Sequence, residues 1–151
     1  MVNLNWRPYT FKEMAFFESV VEDSPDWQTV ELNGKALSSF IGEWQSIGEW
    51  RIWDIEGELA GITFHLETAP SNGKPWLGTM LVKNSMRGKG AAHSMIHSLS
   101  QELKDKGSSV LFTGIPIAQN TWAEFLSRCG FEQFKTETSE EGTYLILIRP
   151  L

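Results

Sequence analysis

A glycine-rich segment in the middle of the chain carries residues suited to binding an anion. It reads Arg87-Gly-Lys-Gly-Ala-Ala92 and precedes a stretch with apolar residues at helical spacing. The first turn of a helix has unpaired backbone N–H groups and the positive end of the helix dipole, and both attract phosphate. Gly88 and Gly90 permit close backbone approach, and Arg87 and Lys89 add positive charge. Taken alone, the pattern is equally typical of a loop that merely begins a helix.

Two widespread phosphate-binding loops do not fit this segment. A P-loop requires Gly-Lys-Ser/Thr at its end, whereas Gly90 is followed by Ala91. A dinucleotide-binding fingerprint requires a third glycine, where this chain has His93. It also begins in a parallel strand–helix–strand unit, whereas antiparallel strands are expected before this loop. The sequence therefore disfavours a general nucleotide-phosphate binder.

The surrounding periodicities predict the elements that position the segment. Strands are expected over residues 3–6, 50–55, 59–66, 76–82, 109–113, 131–138 and 144–148. Helices are expected over residues 10–23, 34–43, 92–107 and 120–129, the first beginning in a capping box of Thr10 and Glu13. Antiparallel strands thus precede a helix, a strand, a second helix and a closing hairpin. This order predicts one mixed α/β domain over residues 1–151.

The charge distribution limits the partners. Residues 12–58 carry eleven acids against three bases, whereas residues 74–107 carry six bases against two acids. The whole chain has a net charge of −6, which argues against nucleic acid because neutralising its phosphates needs a basic face. The local basic segment indicates a smaller polyanion or a plain solvated surface.

Cysteine content and hydropathy point to a cytoplasmic protein that does not enter the membrane. Cys129 is the only cysteine, so no intramolecular disulfide can form, which fits a reducing compartment. No stretch approaches the ~18 uninterrupted apolar residues of a membrane span. We expect no structural metal, since the hydrophobic content is sufficient for one core.

Two segments together resemble the signatures of the GNAT acetyltransferase superfamily. The segment from Arg87 to Ala92 is similar to the family's Arg/Gln-x-x-Gly-x-Gly/Ala motif, at the expected distance from a strand that ends near Val82. Residues 120–131, which begin with Asn120 and end in Gly-Phe131, resemble its second signature. The element order agrees over essentially the whole chain. The resemblance implies a single acyl-CoA N-acyltransferase domain whose central, mostly antiparallel sheet has splayed fourth and fifth strands and flanking helices.

The resemblance also implies how coenzyme A, as acetyl-CoA, would bind. The strand-four backbone would pair with the pantetheine amides and donate to the thioester oxygen. The loop's backbone N–H groups would hold the pyrophosphate. Asn120 would contact the coenzyme or simply cap its helix. The cofactor-binding residues implied are Leu81, Val82, Arg87, Gly88, Lys89, Gly90, Ala91, Ala92 and Asn120.

The residues for proton transfer are less well defined. Many family members have a Tyr that acts as the general acid, and this chain has Leu126 at that position. Several members have a Glu on strand four, and this chain has Trp76 there. His65 and Glu67, on the neighbouring third strand, are the remaining catalytic candidates, and strand alternation puts both on the same face. Each also has a structural interpretation, as a hydrogen-bonded histidine and a solvated strand end. A base acting through solvent is a further alternative.

The resemblance predicts an N-acetyltransferase that acts on a primary amine of a small molecule or peptide by direct attack on the thioester. The acidic, tryptophan-rich region before residue 58 suits a cationic amine, although most of its tryptophans are expected in the core. The alternative is a non-catalytic acyl-CoA-binding module of the same fold. The chain is expected to be a monomer or a homodimer.

Overall fold

A computed structural model describes residues 3–151, which form two compact units. The first unit comprises residues 3–65 and 79–95, and the second comprises residues 66–78 and 96–151. The strands are β1 (Leu4–Pro8), β2 (Glu49–Ile55), β3 (Glu58–Leu66), β4 (Trp76–Val82), β5 (Val110–Pro116), β6 (Glu132–Ser139) and β7 (Gly142–Pro150). The helices are α1 (Met14–Glu22), α2 (Pro25–Trp27), α3 (Leu37–Gln45), α4 (Ala91–Asp105) and α5 (Asn120–Arg128).

The sheet of the first unit is antiparallel. Its strands are hydrogen-bonded in the order β1-β2-β3-β4, with residues 79–82 of β4 in this unit. The predicted hairpin of β2 and β3 is confirmed, and Glu56 and Gly57 in its turn both have positive φ angles, 52° and 81°. Two consecutive positive φ angles favour the right-handed strand twist of a tight hairpin.

Aromatic side chains fill the core of the first unit. Phe17 and Trp50 meet edge to face with ring centroids 5.3 Å apart, and Trp50 lies 4.7 Å from Phe64. Trp50 also donates from its indole nitrogen to the carbonyl oxygen of Ile41. Trp27, Trp50 and Trp53 are all buried. These tryptophans stabilise the core, as the sequence predicted for most of them.

The helical region differs from the prediction at two points. Thr10 precedes a 3-10 turn, Phe11–Glu13, and makes no side-chain capping bond, so the predicted capping box is wrong. The predicted second helix begins later, as α3 at Leu37, and a π-helical turn over Gln28–Leu32 precedes it. Apolar spacing did not reveal this turn because its period differs from that of an α-helix.

Gly61 on β3 allows β4 and α4 to approach closely. A Cβ atom at Gly61 would lie 2.5 Å from the carbonyl oxygen of Leu81 and 2.8 Å from Cε of Met95. The Leu81 oxygen belongs to the backbone and cannot move without displacing β4. The glycine therefore sets the position of the strand end that leads into the glycine-rich loop.

We expect Gly61→Ala to destabilise the protein by about 1–3 kcal/mol through overpacking. Gly42→Ala is the matched control, because a Cβ atom at Gly42 in α3 meets nothing within 4 Å. This change should be neutral or stabilise the protein by about 0.5–1 kcal/mol, the helix propensity difference. Urea denaturation measures both, and equal stability of the two variants would contradict the close approach.

The second unit contains the parallel strand pair. Its strands are hydrogen-bonded in the order β4-β5-β7-β6, and registered pairs of β4 with β5 join Trp76 to Phe112 and Leu77 to Thr113. The pairing thus covers the first two residues of β4. Thr113 also donates from its hydroxyl to the carbonyl oxygen of Leu77 at 2.7 Å.

The fold class is confirmed as mixed α/β with mostly antiparallel strands and flanking helices. The predicted closing hairpin corresponds to β6 and β7, and the helix predicted before Gly130 corresponds to α5. A single domain over residues 1–151 stays a prediction. Within residues 3–151, no helix combines the length and apolar character needed to cross a membrane.

Candidate functional site

The glycine-rich loop begins with a tight turn at the end of β4. The backbone N–H of Lys83 donates to the carbonyl oxygen of Ala60 on β3 at 2.7 Å. A 3-10 turn, Asn84–Met86, follows, and the N–H of Arg87 donates to the carbonyl oxygen of Asn84. Because the Arg87 N–H already has an acceptor, the N–H groups from Gly88 onward are the ones suited to an anion.

Gly88 and Gly90 adopt conformations that other residues avoid. Their φ angles are 76° and 80°, in the left-handed region, where a side chain costs roughly 1–2 kcal/mol. A Cβ atom at either position would meet no atom within 4 Å. Backbone conformation, and not steric crowding within the protein, therefore requires glycine here. The open space leaves the backbone accessible to a ligand.

Helix α4 directs its N-terminal end at this loop. It runs for 15 residues, and the N–H of Ser94 donates to the carbonyl oxygen of Gly90. The N–H groups that precede Ser94 therefore belong to the first turn, which lacks helical acceptors. Ala91 and Ala92 are buried, whereas Lys89 is exposed. The arrangement combines free N–H groups, the positive helix end and an exposed cation, as expected for a phosphate site.

The backbone of β4 alternates in direction toward this loop. The Lys83 N–H donates to β3, and the Leu81 carbonyl oxygen lies against Gly61 of β3. Since neighbouring residues of a strand turn their backbone groups to opposite edges, Met80 and Val82 face away from β3. Of the two strand-four residues predicted to pair with pantetheine, Leu81 faces β3, and Val82 has the suitable direction. Only the N–H of Val82 is available, since its carbonyl oxygen accepts a hydrogen bond from Nε of Arg87. Met80 shares the direction of Val82, as the alternation of a strand indicates, although it is not among the predicted residues.

These features fit the pyrophosphate and pantetheine groups of coenzyme A. The space around Gly88 and Gly90 is open, since a Cβ atom at either residue would meet nothing within 4 Å, so a diphosphate could approach the free N–H groups there. The β4 edge at Met80 and Val82 presents backbone groups of the kind that pair with amides. The fit rests on backbone geometry, so a ligand held here would be selected by its shape and charge.

The second signature lies on α5. Asn120 is the first residue of this helix, and Gln119 holds the capping position without a side-chain capping bond. The Asn120 side chain therefore does not occupy the capping position that one interpretation predicted. Leu126 is buried, and burial raises the pKa of the nearby Cys129 thiol. Neither Leu126 nor a protonated, buried thiol supplies a general acid at an accessible surface.

Trp76 forms part of an aromatic stack on β4 and β5. Its ring is parallel to that of Phe112, with centroids 5.7 Å apart. A Cβ atom at Gly114 would lie 3.2 Å from the Trp76 ring, so the glycine makes room for the indole. Trp76 thus packs against its own sheet. It supplies no carboxylate at the position where several family members are expected to have a Glu.

The two catalytic candidates occupy different surroundings. His65 is fully buried on β3, opposite Glu49 of β2. Glu67 lies one residue beyond the end of β3, so the expected strand alternation does not extend to it. Its exposed carboxylate forms an ion pair with Lys106 at 3.0 Å. Burial of His65 restricts its access to any substrate, and the ammonium group of Lys106 already engages the carboxylate of Glu67.

A carboxyl group that sequence reasoning missed lies on the π-helical turn. Glu31 is half-buried and makes no hydrogen bond or ion pair among residues 3–151, and burial raises its pKa. Trp27, a buried aromatic residue, lies one helical turn before it. The only sequence signal was an acid between Val30 and Leu32. A cation bound here would relieve the cost of burying the carboxylate.

We searched the described residues for side chains that could bind a metal ion. Across residues 3–151, no group of three or more His, Cys, Asp or Glu side chains is arranged to hold a metal ion.

Comparison with known proteins identifies a family to which this chain is similar. The profile of the acetyltransferase (GNAT) domain family matches residues 29–147. A protein of Bacillus subtilis (strain 168), the uncharacterized YkzC, is 40% identical over 136 residues, which cover 89% of this chain and 95% of that relative.

Solved acetyltransferases share the fold. A Bacillus subtilis acetyltransferase in complex with CoA is 17% identical with a TM-score of 0.70, over 100% of this chain and 99% of its own. An aminoglycoside acetyltransferase in complex with coenzyme A and kanamycin is 18% identical with a TM-score of 0.72, over 98% of this chain and 95% of its own.

Proposed function

The chain belongs to the GNAT acetyltransferase family, and on that premise we propose that it transfers the acetyl group of acetyl-CoA to a primary amine. The acceptor is a small molecule or a peptide, and its nitrogen attacks the thioester directly. One observation carries the proposal: Gly88 and Gly90 hold an open, left-handed loop at the start of α4. Family membership makes coenzyme A the anion that best fits this loop.

The loop supplies the donor site. The N–H groups of Gly88, Lys89, Gly90, Ala91 and Ala92 would hold the pyrophosphate, and the Lys89 side chain would add charge. The backbone of Met80 and Val82 on β4 would pair with the pantetheine arm. Backbone donors fixed by the strand also favour the transition state, since charge develops on the thioester oxygen during attack.

A cationic amine is the acceptor class that Glu31 favours. A half-buried carboxylate without a cationic partner attracts a protonated amine of the acceptor. The related aminoglycoside acetyltransferase binds kanamycin, which supports an acceptor with amino groups. We infer that Glu31 holds an amine that does not react, because a charged nitrogen held by a carboxylate is a poor nucleophile.

Proton transfer in this proposal runs through solvent. The reacting amine has a pKa near ~10 in water and must lose a proton before attack, and the departing thiolate must regain one. The family resemblance places Leu126 where many members have their general acid and Trp76 where several have their general base. Burial of His65 and the ion pair of Glu67 make both weaker candidates than water.

A non-catalytic acyl-CoA-binding module is the second candidate function. Leu126 and Trp76, which cannot transfer protons, favour it specifically. In that case the loop would bind coenzyme A without turnover. A cytoplasmic location, expected from the single cysteine, belongs to either proposal.

A panel of amines tests the first proposal against the second. We expect acetyl-CoA to release free thiol faster with at least one polyamine, aminoglycoside or peptide amine than without acceptor, and mass spectrometry to identify the N-acetylated product. Coenzyme A should also raise the unfolding temperature, because a ligand that binds the folded state stabilises it. Stabilisation without turnover on any amine would favour the binding module, and absence of both would contradict the donor site.

A further inference from the structure

The side chain of Arg87 joins two segments of the first unit that are distant in sequence. Its Nε donates a hydrogen bond to the carbonyl oxygen of Val82 at 3.0 Å. Its Nη2 donates to the carbonyl oxygen of Asp23 at 3.0 Å and to the hydroxyl of Ser24 at 3.1 Å. The planar guanidinium thus connects the end of β4 with residues 23–24, the α1–α2 corner.

The α1–α2 corner is well suited to receive this cation. Helix α1 ends at Glu22 with Asp23 as its C-cap, so the adjacent carbonyl groups carry the negative end of the helix dipole. Ser24 donates from its hydroxyl to the carbonyl oxygen of Val20 at 2.9 Å while it accepts from Arg87. The N–H of Gln28 in turn donates to the carbonyl oxygen of Ser24. Arg87 therefore reaches the base of the turn that carries Glu31.

The other end of the connection lies in the glycine-rich loop, residues 87–92, which is the coenzyme loop of the proposed function. Arg87 immediately precedes Gly88, and its N–H donates to Asn84 while its Nε donates to Val82. These bonds close residues 82–87 into a compact turn. A ligand that orders residues 88–92 also orders the backbone from which the guanidinium extends.

We propose that Arg87 is a positioning residue that couples the coenzyme loop to the α1–α2 corner. Coenzyme binding then orders the corner and the π-helical turn that follows it. The hydrogen bonds that join the loop to the corner do not depend on the proposed function, whereas the effect of coenzyme binding on the corner and its consequence for the amine acceptor rest on it. Arg87 joins the two segments through several hydrogen-bond donors of its planar guanidinium. Lys89, in the same loop, contributes only positive charge.

Amide hydrogen exchange, read at Ser24 and Gln28, tests the coupling. We expect Arg87→Met to speed exchange at both amides about three- to tenfold without ligand, since hydrogen bonds to the corner are lost. Arg87→Lys should behave similarly, because one ammonium group cannot replace the planar fork. Lys89→Met is the matched control: it removes the same charge from the same loop, and the corner should exchange as in the wild type.

Coenzyme A provides the second arm of the test. In the wild type it should slow exchange in both the loop and the corner, whereas in Arg87→Met it should slow exchange in the loop alone. With an accepted amine, Arg87→Met should then raise the KM of the amine as well as that of acetyl-CoA. Corner exchange equal in the wild type and Arg87→Met would overturn the coupling, even if acetyl transfer is intact. Absence of coenzyme binding in the wild type, with faster corner exchange in Arg87→Met, would instead contradict the proposed function.

Discussion

Gly90→Trp is expected to weaken coenzyme A binding at least about 100-fold. Gly90 has a φ angle of 80°, which tryptophan adopts only with strain. Relief of that strain would turn the neighbouring N–H groups away from the pyrophosphate, and the indole would fill the space beside them. Calorimetric titration with coenzyme A measures the affinity, and the rise in unfolding temperature with coenzyme A should disappear.

Gly57→Trp separates this local effect from general backbone strain. Gly57 lies in the β2–β3 turn with a φ angle of 81°, and a Cβ atom there also meets nothing within 4 Å. The two substitutions therefore impose similar strain. The Gly57 variant should bind coenzyme A as the wild type does. A folded Gly90→Trp protein with wild-type affinity would exclude the loop as the donor site.

Glu31→Gln is expected to lower kcat/KM for a cationic amine about tenfold or more, the order of a lost hydrogen bond to a charged group. The KM for acetyl-CoA should not change. Steady-state kinetics with the best amine of the panel provides the measurement. Glu43→Gln, which removes an equally charged but exposed side chain paired with Lys35, is the matched control and should retain wild-type kinetics.

The same substitution should increase stability at neutral pH. Burial raises the pKa of Glu31 in the folded protein, so the folded state holds its proton more tightly than the unfolded chain does. Stability from this group is therefore present below the ordinary pKa of a glutamate and is lost as the pH rises through the raised pKa. Glutamine removes the loss, and the two proteins should converge near pH 4. Reduced stability of Glu31→Gln at pH 7, with unchanged amine kinetics, would identify Glu31 as a structural residue.

Local patterns were sufficient for most of the fold. The predicted bounds of β4 coincide with Trp76–Val82, because apolar alternation and flanking turns identify a strand directly. Gly88 and Gly90 likewise adopt the left-handed angles that a phosphate loop needs. Such features depend on residues that are adjacent in sequence, so one chain is enough to predict them.

Features that depend on distant partners could not be predicted. Arg87 reaches an oxygen 64 positions earlier in the chain, so the sequence indicates the positive charge of its guanidinium but not its partner. Tertiary burial, which no local pattern encodes, changes the pKa of Glu31. The capping box at Thr10 failed for a similar reason, because the chain there forms a 3-10 turn before α1. Local sequence thus predicts the glycine-rich turn before α4, and it does not predict the distant partners of Arg87 or the burial of Glu31.

Residue-resolved NMR spectra during titration with coenzyme A test the central claim most directly. We predict the largest changes in amide chemical shift at Gly88, Lys89, Gly90, Ala91 and Ala92, the N–H groups that begin α4. Further changes should follow at Met80 and Val82 on β4. If coenzyme A binds while the amides of residues 88–92 keep their shifts, the pyrophosphate lies elsewhere, and the assignment of the glycine-rich loop is wrong.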